Sequence, residues 1–255
     1  MTRWTALLLA GSRPGTDPFA AAHGTDLKAL IPVGGTPMVA RPAAALLSSP
    51  EIASVRVLAQ EPERIGAALP ADPRLTVAAS GATIAATLDA ILADPATRFP
   101  LLVTTADHAL LDSAMIAEFC DAAEGADLAI GLVERRRLMA RLPGTERTWI
   151  KFRGGAYSGA NLFALGSRDA AKAVALWRSV EQDRKKGWRV VAALGPVALI
   201  GAVLRLRTLD QTLASIGRRL GLDIRKVELA NPLAAVDVDK PSDHELVTAI
   251  LEGRA

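Results

Sequence analysis

The order of apolar runs predicts an α/β fold: a parallel sheet with helices on both faces, in three layers. Three observations carry that expectation. Through residue 133, short apolar runs alternate with segments of helical periodicity, the pattern of repeated βα units. The first run, residues 6–10, is continuously apolar and sharply flanked, as in a strand buried on both faces. Half of the 255 residues are apolar, enough to build a large core and leave little disorder.

In chain order, the strand at 6–10 ends at Gly11, and a loop with Arg13, Pro14 and Gly15 follows. A second apolar run, 29–33, comes directly after Lys28. Residues 38–47, rich in alanine and leucine, form a helix that Ser48, Ser49 and Pro50 end. Residues 55–59 are the next strand, 62–69 a short helix, and 75–79 a strand running into Ser80 and Gly81. Apolar residues at helical spacing fill 83–92. A strand at 101–104, a helix at 113–123 and a strand at 128–133 complete the βα run. From Glu134 the order loosens. The basic stretch Glu134-Arg135-Arg136-Arg137 starts a helix or a hairpin arm ending near Pro143 and Gly144, and strands at 149–152 and 160–165 flank Arg153-Gly154-Gly155. Residues 167–220 read mostly as helix, broken at Gly187 and Gly195-Pro196, and form a helical insertion in a single domain spanning 1–255. Strands at 224–229 and 235–238 and a helix at 242–251 close the chain.

Composition excludes several classes. The formal net charge is only +3 and no dense Lys/Arg tract with interleaved aromatics occurs, so a nucleic-acid partner is not expected. Cys120 is the only cysteine, which rules out an internal disulfide or a Cys-based metal cluster and assigns it to packing. The apolar N-terminus lacks a signal peptide's form, so a cytoplasmic location is expected. His23, His108 and His244 are scattered without HxH or HExxH spacing, which disfavours zinc, and no G-x-S-x-G elbow supports a serine hydrolase. Residues 188–209 are an apolar stretch bracketed by Arg189, Arg205 and Arg207. They read as a buried helix pair bent at Gly195-Pro196, or else as a face for a homodimer or an anionic membrane surface.

Three places carry chemistry. The strand at 6–10 delivers the chain into a glycine-containing loop with two cations nearby, Arg13 and Lys28. That is what a phosphate site needs, although any α/β protein has such a first loop. Neither GxxxxGK[ST] nor GxGxxG is present. Asp107 ends the strand at 101–104, at the edge where open α/β sheets bind ligands, and is placed to hold Mg²⁺. Capping the next helix is its alternative role, for which Asp112 and Ser113 are better placed. His108 beside it is placed to line the site. Alternation through the strand at 235–238 and on to the next residue puts Asp237 and Asp239 on the same face, so they can converge on one cation. Ser80 at the end of the strand at 75–79 is also a candidate N-cap of the following helix. Asn161 amid apolar neighbours either faces a ligand or satisfies a buried backbone group.

The opening stretch resembles the signature of sugar-nucleotide and cofactor nucleotidyltransferases, LAGGxGxRMG…K.L..v.GkPm. That MobA-like family includes the molybdenum-cofactor guanylyltransferase and the methylerythritol-phosphate cytidylyltransferase. Leu9, Ala10, Gly11, Arg13, Gly15, Lys28, Leu30, Gly35, Pro37 and Met38 match in order. Ser12 replaces the second loop glycine, and residues 17–25 lengthen the loop. Ala106-Asp107 matches the family's strand-then-(G/A)D motif, and Asp237-Val238-Asp239-Lys240-Pro241-Ser242-Asp243 resembles its closing (D/N)-x-(D/N)-T-P-E-D-L.

The resemblance implies a Rossmann-like three-layer α/β/α nucleotidyltransferase fold of the GT-A type with a mostly parallel, mixed sheet. It also implies transfer of NMP from an NTP, CTP or GTP ahead of ATP, to a small phosphorylated acceptor with release of pyrophosphate. Arg13 and Lys28 would then be catalytic. Leu9, Ala10, Gly11, Ser12, Gly15, Ser80, Gly81 and Thr83 would bind the nucleotide and Asn161 the acceptor. Asp107 and Asp239 would bind Mg²⁺, with Mn²⁺ as its substitute; Asp239 is preferred to Asp237 because it aligns with the residue before the T-P step. Asp243 is assigned no chemistry. The rivals are a nucleotide-sugar-dependent glycosyltransferase of the same fold, whose D-x-D normally lies mid-chain, and a non-catalytic nucleotide-binding relative, which would be expected to lose Lys28 or a metal carboxylate. Both fit less well.

Overall fold

A computed structural model describes residues 3–12, 15, 17–182 and 207–255. Strand β1 (Trp4–Leu9) lies between β4 (Ile52–Ala59) and β6 (Leu101–Thr105), parallel to both. Its side chains alternate between two cores: Ala6 and Leu8 join one, Leu7 and Leu9 the other, which is why the run is apolar at every position. Helices α2 (Ala40–Ser48) and α5 (Ser113–Ala123) pack Ala43, Leu46, Ile116 and Phe119 into the first core. Helices α4 (Ile84–Ala93) and α7 (Ala171–Gln182) pack Leu88, Leu92 and Val174 into the second. Each of the larger of these side chains, fully buried, contributes about 1.5–3 kcal/mol, and Ala43 less. Cys120 lies in the first core, where burial pushes its thiol pKa up to about 12. The three layers follow from these two apolar faces.

The remaining strands of the sheet are β5 (Leu75–Ala79), β7 (Leu128–Glu134), β8 (Ile150–Phe152), β9 (Gly155–Leu165) and β10 (Ile224–Glu228). Their order is β10-β7-β9-β6-β1-β4-β5, with β8 paired to β9. All neighbours are parallel except β9, which runs antiparallel to β6, β7 and β8. The βα pattern alone predicts a parallel sheet; β9 departs from it because a tight turn at Arg153-Gly154 reverses the chain, whereas parallel neighbours need a long crossover.

Of the two readings of the stretch after Glu134, the structure shows the helix, α6 (Arg135–Arg141), capped by the Glu134 carboxylate. Two other stretches differ from expectation. The inserted residues 17–25 fold in part into α1 (Pro18–Ala22), whose first turn the Asp17 side chain caps. The expected strand at 235–238 is absent. Instead a 3-10 turn (Pro232–Ala235) leads into extended chain outside the sheet, whose backbone groups bond to loops: Val238 N donates to Asp107 O at 3.0 Å, and Arg147 donates to Asp237 O at 3.1 Å. Of the helical region at 167–220, α7 and α8 (Leu209–Leu220) are described. Gly187, Gly195-Pro196 and most of the 188–209 segment lie outside the described residues. Among the described residues no helix is long and apolar enough to cross a membrane. Helix α9 (Pro241–Leu251) closes the chain.

Candidate active site

The C-terminal ends of β1 and β6 are stitched side by side, Ala106 N donating to Leu9 O at 2.9 Å. The chain leaves β1 through Ala10, whose N–H still bonds Leu58 O, then Gly11 and Ser12, whose N–H donates to Gln60 Oε1 at 2.7 Å. Gly15 lies further round the loop, and Arg13 lies outside the described residues.

Lys28 opens a 3-10 turn (Lys28–Leu30) that a small hairpin holds in place. Strands β2 (Pro32–Val33) and β3 (Thr36–Pro37) are joined by Gly34 and Gly35, both at positive φ, the conformation that a two-residue hairpin turn of the primed type requires. The return strand delivers Met38 N to Ile31 O and Val39 N to Ala29 O, fixing the backbone directly after Lys28. Arg41 locks the turn through Val33 O and Gly34 O.

From this base the Lys28 ammonium reaches two carboxylates. Its Nζ lies 3.2 Å from Asp107 Oδ2 and 2.5 Å from Asp239 Oδ1. Burial opposes the charge on Lys28, but the two aspartates outweigh it and raise its pKa above the ordinary lysine value. The lysine therefore stays charged at neutral pH. Asp107 is held in turn by Thr105, whose hydroxyl donates to Oδ1 at 2.5 Å. Helix α5 is capped by Asp112 through Met115 N, so Asp107 has no capping role.

Asp237 takes a different partner from Asp239. Arg147, whose side chain is only 8% exposed, bonds the Asp237 carboxylate through Nη1 and the Asp237 carbonyl through Nη2. Asn161 Nδ2 donates to the other Asp237 oxygen at 3.2 Å. Burial keeps the Asp237 carboxyl above the usual aspartate value despite Arg147. Asn161 reaches this position through a bulge: between the pairs Ile130–Phe163 and Leu132–Gly159, Gly131 alone faces Ala160, Asn161 and Leu162. A Cβ on Gly131 would stand 3.0 Å from Leu162 Cβ, and Asn161 takes φ 49°, which asparagine tolerates better than most residues.

Asp243, on the first turn of α9, accepts from the backbone N–H of both Asp239 and Lys240 at 3.2 Å and so fixes the Asp239 loop. The sequence assigns Asp243 no chemistry, and Arg147 is not among the residues it singles out. Nothing marks Arg147 among the other arginines of the chain, because its partner is 90 residues away.

The remaining candidates lie at the end of β5, on the same edge of the sheet. Thr83, not Ser80, caps α4, accepting from Ala86 N at 3.1 Å. Ser80 Oγ is buried with no hydrogen-bond partner among the described residues, and Gly81 N donates to Thr87 Oγ1 at 2.9 Å. His108 does not line the site surface: it is fully buried, burial pushes its pKa down to about 4, and it is neutral at pH 7.

Residues 7–222 match the family model of the MobA-like NTP transferase domain. Among solved structures, a hypothetical transferase from Thermus thermophilus is similar at 28% identity and a TM-score of 0.80, with 95% of this chain and 100% of that chain covered. The 4-diphosphocytidyl-2C-methyl-D-erythritol synthase of Anaerococcus prevotii is similar in fold at 9% identity and a TM-score of 0.61, over 98% of this chain and 99% of that chain. A CMP:2-keto-3-deoxy-manno-octonic acid synthetase complexed with CTP shares the fold at 14% identity and a TM-score of 0.60, over 99% and 100%. No curated protein sequence matches the chain significantly.

Proposed function

This chain belongs to the MobA-like NTP transferase family and is a nucleotidyltransferase, and from that premise we propose that it transfers NMP from CTP or GTP to a small phosphorylated acceptor. The observation that carries this reading is the single ammonium of Lys28 set between Asp107 and Asp239 at the C-terminal edge of the sheet. In the reaction an acceptor phosphate oxygen attacks the α-phosphorus, the bond to the β-phosphate oxygen breaks, and pyrophosphate leaves with the electron pair. No protein nucleophile is needed; positioning and charge neutralisation suffice. Lys28 turns from the carboxylates to the β- and γ-phosphates and neutralises the leaving pyrophosphate. Arg13, assigned by its place in the motif, serves the same phosphates. The loop through Leu9, Ala10, Gly11, Ser12 and Gly15 carries the triphosphate. Ser80, Gly81 and Thr83 take the base, which the unpartnered Ser80 hydroxyl supports. Asn161, anchored on Asp237, borders the acceptor. The synthetase complexed with CTP supports CTP as one donor.

Two carboxylates from separate segments that already share one cation fit Mg²⁺, which takes one or two protein carboxylates and leaves its other positions to phosphates and water. Asp107 and Asp239 would hold it, and charge neutralisation at the phosphates is what it supplies when bound. Activity is therefore expected to vanish on chelation and return with Mg²⁺ or Mn²⁺. Asp107→Asn and Asp239→Asn are each expected to raise the metal concentration for half-maximal activity at least tenfold, roughly the lower bound for disturbing a metal site. Asp237→Asn should leave that concentration near the wild-type value, because Asp237 serves Arg147. A metal titration of the three variants decides it: activity that survives chelation, or Asp237 as the most sensitive position, would show the ligand assignment to be wrong.

A further inference from the structure

We propose that Lys28 is the internal counter-ion of the metal carboxylates in the nucleotide-free protein, so that a divalent cation enters only as the triphosphate draws the lysine away. The inference deepens the proposed function and rests on its assignment of Asp107 and Asp239.

The geometry points to competition. Lys28 Nζ stands 2.5 Å from Asp239 Oδ1 and 3.2 Å from Asp107 Oδ2, so it uses one oxygen of each carboxylate. The other Asp107 oxygen accepts from Thr105. A Mg²⁺ ion binds oxygens at about 2.0–2.1 Å, inside the space that the ammonium occupies, and an ammonium beside it would face a doubly charged neighbour. With Lys28 in place, the two carboxylates and the ammonium sum to one negative charge; with the lysine removed, they present two. The lysine also lies on an element that cannot move aside for the metal, since the 3-10 turn is pinned by the hairpin at Met38 and Val39. Only its flexible side chain can move. A polyanionic triphosphate in the loop after β1 offers that side chain a new partner and adds phosphate ligands for the metal. Binding of nucleotide and metal is thereby coupled through one residue, and the coupling is reciprocal.

The consequence is a lysine that weakens metal binding in the free protein although catalysis requires it. Full-length wild type and Lys28→Met, both checked for folding by circular dichroism, are titrated with Mn²⁺ without nucleotide and followed by electron paramagnetic resonance of the free ion. The expected result is binding at least tenfold tighter in Lys28→Met, and loss of the gain when Asp239→Asn is added. Lys28→Gln, which keeps a polar side chain without the charge, should behave like Lys28→Met and serves if that variant does not fold. Equal or weaker Mn²⁺ binding in the lysine variants would overturn the inference. A parallel titration of wild type and the two aspartate variants with a non-hydrolysable NTP, scored as Mn²⁺ bound beyond a protein-free nucleotide control, separates the two levels. Mn²⁺ binding there that Asp107→Asn and Asp239→Asn abolish keeps the ligand assignment while the lysine result alone decides the inference. Binding there that ignores both substitutions overturns the assignment and the inference with it.

Discussion

Lys28→Ala is expected to lower turnover about 100- to 1000-fold while leaving the fold intact. Loss of one preorganised contact to developing charge costs about 2.7–4 kcal/mol in the transition state, and the proposed role of the lysine is to meet the charge on the leaving pyrophosphate. Stability should change little. Lys28 is a partly exposed side chain (23%), Asp239 is 63% exposed, and water can solvate both carboxylates once the ammonium is gone. The Met38 and Val39 hydrogen bonds, which shape the turn, do not involve the side chain. Steady-state pyrophosphate release beside a thermal melt measures both effects. Turnover within tenfold of wild type would remove Lys28 from the chemistry.

Arg147→Ala is expected to have the largest effect on stability. The guanidinium is 8% exposed and the Asp237 carboxylate 24%, so the pair is far drier than the surface pairs of the molecule. Removing one partner of such a pair costs about 3–5 kcal/mol, because the other charge is stranded. Taking about 3 kcal/mol, a chain of this size should lose roughly 6–12 °C of melting temperature. In an Asp237→Asn background the same substitution should cost at least about 1 kcal/mol less, which identifies the pair rather than the packing of Arg147 as the cause. Activity should fall as well, since the segment carrying Asp237 leads directly into Asp239, and added metal should restore part of it. A melting temperature within about 2 °C of wild type would contradict the account of Arg147.

Much of the fold is legible in the sequence because β1 and β6 are buried on both faces and so carry the consecutive apolar residues 6–9 and 101–103, while α4 and α5 carry apolar residues at helical spacing. The direction of β9 is not legible, nor is the bulge that turns Asn161 toward Asp237, because both depend on pairing with distant strands. Within the site, Lys28, Asp107 and Asp239 stand out locally: a lysine after a glycine loop, a carboxylate at a strand end, and a carboxylate before Lys-Pro. The structure brings those three together. Reading 235–238 as a strand put Asp237 and Asp239 on one face toward one cation. The actual segment has no strand partner, and its backbone bonds to loops send Asp237 to Arg147 and Asp239 to Lys28. Pro232, which has no N–H to give a ladder, begins the 3-10 turn that leads into this segment.

The most direct measurement of the central claim is pyrophosphate release by the full chain, with Mg²⁺ and each of the four NTPs, against a panel of phosphorylated small acceptors. The account predicts release that needs both acceptor and metal, that is strongest with CTP or GTP, and that Lys28→Ala lowers about 100- to 1000-fold. Release of orthophosphate in its place, or no pyrophosphate from any of the four NTPs, would contradict it.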